Sequence, residues 1–432
     1  MKHEKKIGLA LSGGGYRAAV YHLGTIQKLK EMDLLDKIDV ISSNSGGSIT
    51  AAAFGLYGND YEKFKSVVLQ GVGKSVIRKM IFSPHFLIPA SALIVIIISA
   101  VALLFTDFAW LSPLVMILTI ALFLTYQFKI FRLSALTEKI YNDFFFKKNR
   151  LNDLSPGVTI VLNSTNMETG RLFTFSRDGI GDSTYQYPKD GSDPIHFLHR
   201  EFPVAKAVAA STSVPFLFSP VEIPICFYKR KSDSSRAKPR LVDGGVYDNQ
   251  GVHKLAQLNS PYECDTIIVS DAGNELPFKN SYQNVLTLLI RVSDVFMTRI
   301  RNLQMIHLIF NPQNKEEVAY QSLGWDVGDS IPNFVDNVLE GNVSDTVVQA
   351  HGISKEDIAG RKRDSIIKYL KERIDFQKIQ KQSNSKEDLA LARSVGTNLT
   401  ALDQNQIQAL ITHASVLTEL NVKLYCPSLV DS

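Results

Sequence analysis

Residues 6–32 read KIGLALSGGGYRAAVYHLGTIQKLKEM. Lys6 to Ser12 is a short apolar run that stops at three glycines, and from Tyr16 to Met32 the apolar residues Ala19, Leu23, Ile26 and Leu29 recur at helical spacing. A strand that passes through a glycine turn into a helix is the opening of an α/β unit. The pattern repeats at once: Lys37–Ser42 (KIDVIS) carries a second strand signal, and Gly46–Tyr57 (GGSITAAAFGLY) a helix of small residues able to pack closely on a sheet. Further strands are expected at Gly157–Leu162 and Asp265–Ser270, and helices over Ser281–Leu308, Arg361–Ile374 and Asp403–Leu420. The basic N-terminal residues precede an apolar run of only Ile7–Leu11, too short for a secretory signal, so the run reads as the first strand.

One stretch breaks this alternation. Residues 86–128, FLIPASALIVIIISAVALLFTDFAWLSPLVMILTIALFLTYQF, hold Asp107 as their one formally charged residue. Phe86–Phe105 supplies 20 apolar or small residues, about 30 Å of helix, which matches the hydrocarbon thickness of a bilayer. Ser112 followed by Pro113 reads as an N-cap with proline at the first helical position, which starts a second, shorter helix there. Lys129 and Arg132 would extend its span by snorkelling. The turn Thr106–Ala109 has no Lys or Arg, whereas Lys74, Arg78 and Lys79 precede the hairpin and Lys129, Arg132, Lys147, Lys148 and Arg150 follow it. Positive charge stays inside, so the expected protein is a two-span membrane protein with both termini and the rest of the chain in the cytoplasm. Trp110 suits the opposite interface. The competing arrangement is a helical hairpin buried in a soluble core or lying in one leaflet.

The remaining composition narrows the function. The 432 residues are ordinary for a folded α/β protein, with 45% hydrophobic and 21% charged residues and a net charge of +4. No Lys/Arg run interleaved with aromatics suggests a nucleic-acid groove; the small surplus suits an anionic membrane surface. Cys226, Cys264 and Cys426 are far apart and match neither a disulfide framework nor a zinc spacing, so they are expected to be buried or inert thiols. No calcium-loop motif is present, and neither metal nor cofactor is expected.

Three segments carry chemistry. Acyl transfer needs an activated nucleophile, a base and donors aimed at the oxyanion. Ser42-Ser43-Asn44-Ser45-Gly46-Gly47 falls at a strand-to-helix junction, where a nucleophile elbow belongs, although Ser43 stands in place of the first glycine of G-x-S-x-G. Ser12-Gly13-Gly14-Gly15-Tyr16-Arg17 falls at another such junction, and its glycines let backbone N–H groups point into a cavity in front of a helix N-terminus. A dinucleotide loop would satisfy the same glycine pattern, but it wants an acidic residue at the end of the next strand, where this chain has SSNSGG. Asp243-Gly244-Gly245 follows the apolar Leu241-Val242 and fixes a carboxylate on a rigid turn, as a base needs.

In this order the three segments, GGGYRA, SNSGG and DGG, resemble the patatin-like phospholipase family. The resemblance covers most of residues 5–75 and 155–275, and Phe202–Val221 and Thr397–Lys423 are similar to the family's small-residue helix and closing helix. It implies an α/β fold, a patatin-like three-layer α/β/α sandwich, here with an inserted hydrophobic helical hairpin and extra C-terminal helices. It implies Ser45 as nucleophile, Asp243 as base in a two-residue dyad, and Gly13, Gly14 and Gly15 as the oxyanion hole. Arg17 matches the family arginine and would either brace the loop or meet lipid phosphate; Ala18 replaces the last glycine of the loop. The expected organisation is a first catalytic part (1–84), the hairpin (85–130), a second catalytic part (131–290) and a helical extension (291–432). The expected activity is hydrolysis of carboxylic esters of membrane phospholipids through an acyl-enzyme. Acyl transfer or neutral-lipid lipolysis on the same dyad, or a non-catalytic membrane scaffold, are the alternatives. A Ser-His-Asp triad with one of nine histidines, such as His253, stays open.

Overall fold

Every residue of Ile7–Leu11 (β1) and Val40–Asn44 (β2) is buried, as continuous apolar runs are when helices cover both faces of a parallel sheet. The computed structural model describes residues 5–274, 283–308 and 317–430. Its strands are completed by Thr159–Asn166 (β3), Arg171–Phe175 (β4), Ile180–Gly181 (β5), Val221–Glu222 (β6), Arg240–Asp243 (β7), Thr266–Asp271 (β8) and Glu317–Ser322 (β9). They form one mixed sheet in the order β5-β4-β3-β2-β1-β8-β9, with β7 paired to β3 and β6 to β7. The strands β3-β2-β1-β8-β9 run parallel, and β4, β5, β6 and β7 make antiparallel pairs. Alternation sorts side chains between two cores: Leu9, Leu11, Ile41 and Ile268 face one helical layer, while Ala10, Val40, Ile267 and Val269 face the other with Val252, Leu255 and Met305. The α/β/α sandwich expected from the sequence is therefore present.

Gly15–Glu31 (α1) and Gly46–Tyr57 (α2) pack on the first face. The helix Gln404–Tyr425 lies along α1 at short range: a Cβ on Gly24 would sit 2.5 Å from the Ile411 carbonyl oxygen. That helix starts with a capping box between Asp403 and Gln406, one residue from its expected start. The region expected to be a purely helical extension also supplies β9, which extends the central sheet as the parallel neighbour of β8. The helix expected over Ser281–Leu308 runs Val285–Leu308, and Ser281 itself lies outside the described residues.

The chain leaves the core through Tyr61–Val72 (α3) and Val76–Ile81 (α4), crosses the hairpin Pro84–Leu103 (α5) and Leu111–Ile130 (α6), and returns through Leu133–Tyr141 (α7). Ser83 caps α5 on the Phe86 amide, with Pro84 at the first position. The same signature expected of Ser112-Pro113 does not start α6. In the turn Thr106–Trp110, the Thr106 and Ala109 amides donate to the Leu103 and Thr106 carbonyls and the Leu111 amide donates to that of Phe108, so the helix begins already at Leu111 and Pro113 occupies its third position, where no N–H is needed. The second helix is thus 20 residues long rather than short. Ala100 is the one buried residue of α5 and Ser112 the one of α6, so the hairpin is not packed into the core of this chain. Both helices are long and apolar enough to cross a membrane. Of the cysteines, all three free, Cys264 and Cys426 are buried and Cys226 is exposed.

Candidate active site

Strand β3 is longer than β2, and it uses its surplus to bring two distant turns together. Asn44, the last residue of β2, pairs with Asn163, and Asp243, the last residue of the oppositely running β7, pairs with the next residue, Ser164. One residue along a strand is about 3.3 Å, so the ends of β2 and β7 meet head-on beside β3. Ser45 follows immediately on one side, and the Asp243 carboxylate stands on the other.

Ser45 has φ 47° and ψ −121°, a conformation that a residue with a side chain adopts only where its surroundings enforce it. They do so from three directions. The Ser45 amide donates to the Ser211 hydroxyl at 2.9 Å, from the end of the helix Val204–Ser211. A Cβ on Gly46 would lie 2.0 Å from the Gly15 carbonyl oxygen, and one on Gly47 2.6 Å from that of Leu11, so the start of α2 is wedged against the β1–α1 turn. Ser43, where a glycine was expected, is buried and builds a hydroxyl chain: its Oγ lies 3.1 Å from Ser48 Oγ and donates to the Val161 carbonyl at 3.2 Å, while Ser48 Oγ reaches Ser211 Oγ at 2.8 Å. The departure from the motif is thus absorbed by partners matched to a serine.

The Asp243 amide donates to the Ser213 carbonyl at 2.8 Å, and its carboxylate accepts from the Gly245 amide at 2.7 Å. Burial pushes this carboxyl up to about 6, against hydrogen bonding from Gly245 and from the neighbouring Ser45 hydroxyl, which holds it down. No histidine takes part in these contacts. His22 is buried between Ser12 O at 2.9 Å and Ser270 Oγ at 2.8 Å, and burial holds it near 4, hence neutral. His253 gives its amide to Asp248 at 2.8 Å. Asp248 is itself a turn-holding carboxylate, accepting from the Gln250, Gly251 and His253 amides and from Gln304 Nε2.

The glycine loop closes the third side. A Cβ on Gly13 would come within 3.2 Å of Ser45 Cβ, so the loop lies against the elbow. The Gly13 amide is committed to the Asn249 carbonyl at 2.8 Å. The Gly14 and Gly15 amides, at φ 144° and 61°, and that of Gly46 meet no acceptor among the described residues. Positive φ at Gly14 and Gly15 turns these N–H groups outward, a conformation that side chains rarely allow. Arg17 is buried; its Nη1 donates to the Val395 carbonyl at 3.1 Å and Asp271 attracts it, so the side chain ties the loop to the C-terminal region. Asn398 presses on the same loop: its carbonyl accepts the Tyr16 amide at 2.9 Å and leaves no room for a side chain at Gly15. Asn249, Ser211 and Asn398 were not foreseen: Asn249 follows the Asp243-Gly244-Gly245 turn by four residues, and Ser211 and Asn398 lie within Phe202–Val221 and Thr397–Lys423, but nothing local signals contacts made from so far along the chain.

An α/β sheet with a strained serine at a strand-to-helix turn, set beside a buried carboxylate and faced by unengaged amides, has the architecture of a serine acyl hydrolase. The sequence model of the patatin-like phospholipase family matches residues 9–256, more than half of the chain, and the chain belongs to that family. No match was found among curated proteins. Among solved structures, the human GIVD cytosolic phospholipase A2 is similar at 15% identity over 61% of this chain and 45% of its own, with a TM-score of 0.36. Its complex with methyl gamma-linolenyl fluorophosphonate aligns at 15% identity over 99% of this chain and 58% of its own, with a TM-score of 0.42. VipD from Legionella pneumophila aligns at 14% identity over 99% of this chain and 92% of its own, with a TM-score of 0.32.

Proposed function

We propose that the protein is a membrane-anchored serine hydrolase that cleaves carboxylic esters of membrane phospholipids with a Ser45–Asp243 dyad. The observation that carries this reading is the register of β3, which brings Ser45 up against the buried Asp243 carboxylate, next to unengaged glycine amides. Asp243 takes the Ser45 proton as Oγ attacks the ester carbonyl carbon. The oxyanion is met by the amides of Gly14 and Gly15, with Gly46 behind the nucleophile, while Gly13 holds the loop in place through Asn249. Collapse breaks the bond to the alcohol, which leaves with the proton from Asp243, and the acyl group stays on Ser45. Water then gives its proton to Asp243 and attacks the acyl-enzyme, and Asp243 returns that proton to Ser45 Oγ as the fatty acid is released. A base near 6 is ionised at neutral pH yet basic enough to accept the proton in the transition state. Arg17, buried and bonded to Val395, acts as the brace of the loop rather than as a phosphate ligand.

The hairpin supplies the route to an insoluble substrate. Two-span anchoring with basic flanks on the cytoplasmic side holds the site near the headgroup plane. The foot of the hairpin joins the site directly: Ser134 of α7 donates to the Ser219 carbonyl, and Tyr141 to Thr212 Oγ1 at 3.2 Å. Between these points Val214, Phe216 and Leu217 are exposed apolar residues, one step from Ser213, whose carbonyl holds the Asp243 amide. The test is to incubate the detergent-purified protein and its Ser45→Ala variant with a mixed lipid panel and identify released fatty acids and lysolipids by mass spectrometry. Release by the parent and none by the variant supports the reading; equal release by both, or fluorophosphonate labelling at a residue other than Ser45, refutes it.

A further inference from the structure

The segment that enters the membrane hairpin carries a feature the hydrolytic reading does not use. Lys74, Ser75, Arg78, Lys79, Phe82 and Phe144 line an open groove of about 420 Å³. It lies at the foot of α5, since Phe82 directly precedes the Ser83 cap, and Phe82 and Ile81 are exposed there. Lys79 is paired with Asp143 at 2.6 Å, and the Lys74 and Lys79 ammonium groups stand 5.5 and 4.8 Å from the Phe144 ring centre. Lys74 and Arg78 have no carboxylate partner among the described residues, so the groove keeps two uncompensated positive charges beside apolar surface. Cations over an apolar floor, at the level where a chain enters a bilayer, suit an anionic headgroup with its first acyl carbons.

We infer that this groove is a binding site for an anionic phospholipid headgroup of the surrounding leaflet, separate from the ester-cleaving centre. The inference rests on the membrane-anchored reading of the hairpin. The groove is wired to the glycine loop through backbone contacts. The Tyr16 hydroxyl donates to the Lys74 carbonyl at 3.1 Å, and the Val76 amide to the Leu399 carbonyl at 3.0 Å. The neighbouring Asn398 carbonyl holds the Tyr16 amide. A headgroup that orders Lys74–Arg78 therefore also orders the turn that presents the Gly14 and Gly15 amides, and the bound lipid acts as an activator as well as a ligand.

The test uses the full chain with Ser45→Ala, so that no lipid is consumed, purified in detergent. Binding of short-chain phosphatidylglycerol, phosphatidylcholine and inorganic phosphate is measured by the shift in thermal unfolding. Phosphatidylglycerol is expected to raise the midpoint further than phosphatidylcholine, which engages the ester-cleaving site alone. Lys74→Gln with Arg78→Gln should weaken the phosphatidylglycerol affinity about tenfold or more, since each basic group at a membrane surface contributes about 1 kcal/mol. Lys74→Arg with Arg78→Lys should restore it. Equal shifts in the parent and the glutamine variant overturn the site, and a full shift with inorganic phosphate alone overturns the lipid as its ligand. In the Ser45 form, phosphatidylglycerol should increase turnover of phosphatidylcholine in the parent and not in the glutamine variant. Because the binding readout needs no catalysis, loss of the hydrolase reading leaves it standing. Extraction of the protein from membranes by alkaline carbonate would refute the anchor and not the binding measurement.

Discussion

Helices α2 and α5 are both apolar on every side, yet one is in the core and the other is bare. In α2 all residues but Leu56 are buried, whereas in α5 Ala100 alone is. A helix with no polar face must be covered by protein or by lipid. What separates the two is side-chain size. The α2 sequence, GGSITAAAFGLY, presents glycine, alanine, serine and threonine, which let its backbone approach the β1–α1 turn closely enough for Gly46 to touch Gly15. The α5 sequence is dominated by Ile, Leu and Val, and Ile94, Val95, Ile98 and Val101 project outward with no protein against them. Small residues serve contact between backbones; bulky ones suit a solvent of hydrocarbon.

The comparison is broken most severely at the N-terminus of α2, the end that holds Ser45. Ser45→Ala and Asp243→Asn are each expected to lower kcat on phospholipid on the order of 10⁴-fold, as loss of one member of a nucleophile–base unit does. The chain should still fold, measured by circular dichroism and by insertion into membranes. Retained turnover in a folded Asp243→Asn variant would break the dyad and bring a histidine back into consideration. By contrast, Phe105→Ala at the tip of the hairpin, where the side chain is exposed, should leave kcat unchanged.

Next in size are substitutions that exchange the two packing regimes. Gly46→Val places a side chain where even its Cβ would be 2.0 Å from the Gly15 carbonyl oxygen, so it should cost about 3 kcal/mol or more and remove activity with it. Ala92→Val on α5 adds similar volume and should cost almost nothing. Arginine reverses the ranking: Ile96→Arg should cost about 2.5–3.5 kcal/mol of membrane insertion, read by a glycosylation or carbonate-extraction assay, while leaving the catalytic part folded. If Ile96→Arg inserts as well as the parent, the hairpin is not a pair of spans and the lipid side of the comparison fails.

The sequence made much of this legible, for reasons that differ by region. The hairpin was readable because it is defined by composition alone, but the start of α6 was not, because hydrogen bonds within the turn at Thr106–Trp110 move the first helical residue from Pro113 to Leu111. The strands β1 and β2 and the helices after them were readable because glycine punctuates each junction. Ser45, Asp243 and the glycine loop were named from three short motifs, each too common to decide anything singly. What no local pattern holds is why they meet: the register of β3, which pairs Asn163 with Asn44 and Ser164 with Asp243, depends on three segments far apart in the chain. The same limit hid β9 and the Asn398 contact, since an edge strand and a loop carbonyl act through backbone, which sequence does not distinguish.

The smallest effect sharpens the comparison on the buried side. Core helices and strands tolerate a charge only at a cost, and Asp243 bears it: its carboxyl is raised from 3.8 to about 6 by burial. A folded-state value above the unfolded one means that this group favours the folded chain fully below about pH 3.8 and loses that contribution as pH rises through about 6. At neutral pH the ionised carboxylate therefore works against folding by an amount on the order of 1–3 kcal/mol. Asp243→Asn removes the charge, so the variant should unfold at a higher temperature than the parent at pH 8, and the difference should shrink toward pH 4. In the parent, kcat/KM should fall with decreasing pH below about 6, nearly tenfold per unit, as the base takes up its proton. A parent that keeps full kcat/KM at pH 5, or an asparagine variant less stable at pH 8 than at pH 4 relative to the parent, would show that Asp243 is not held above its ordinary range. The cost of burying the carboxylate would then no longer be the counterpart of its activity.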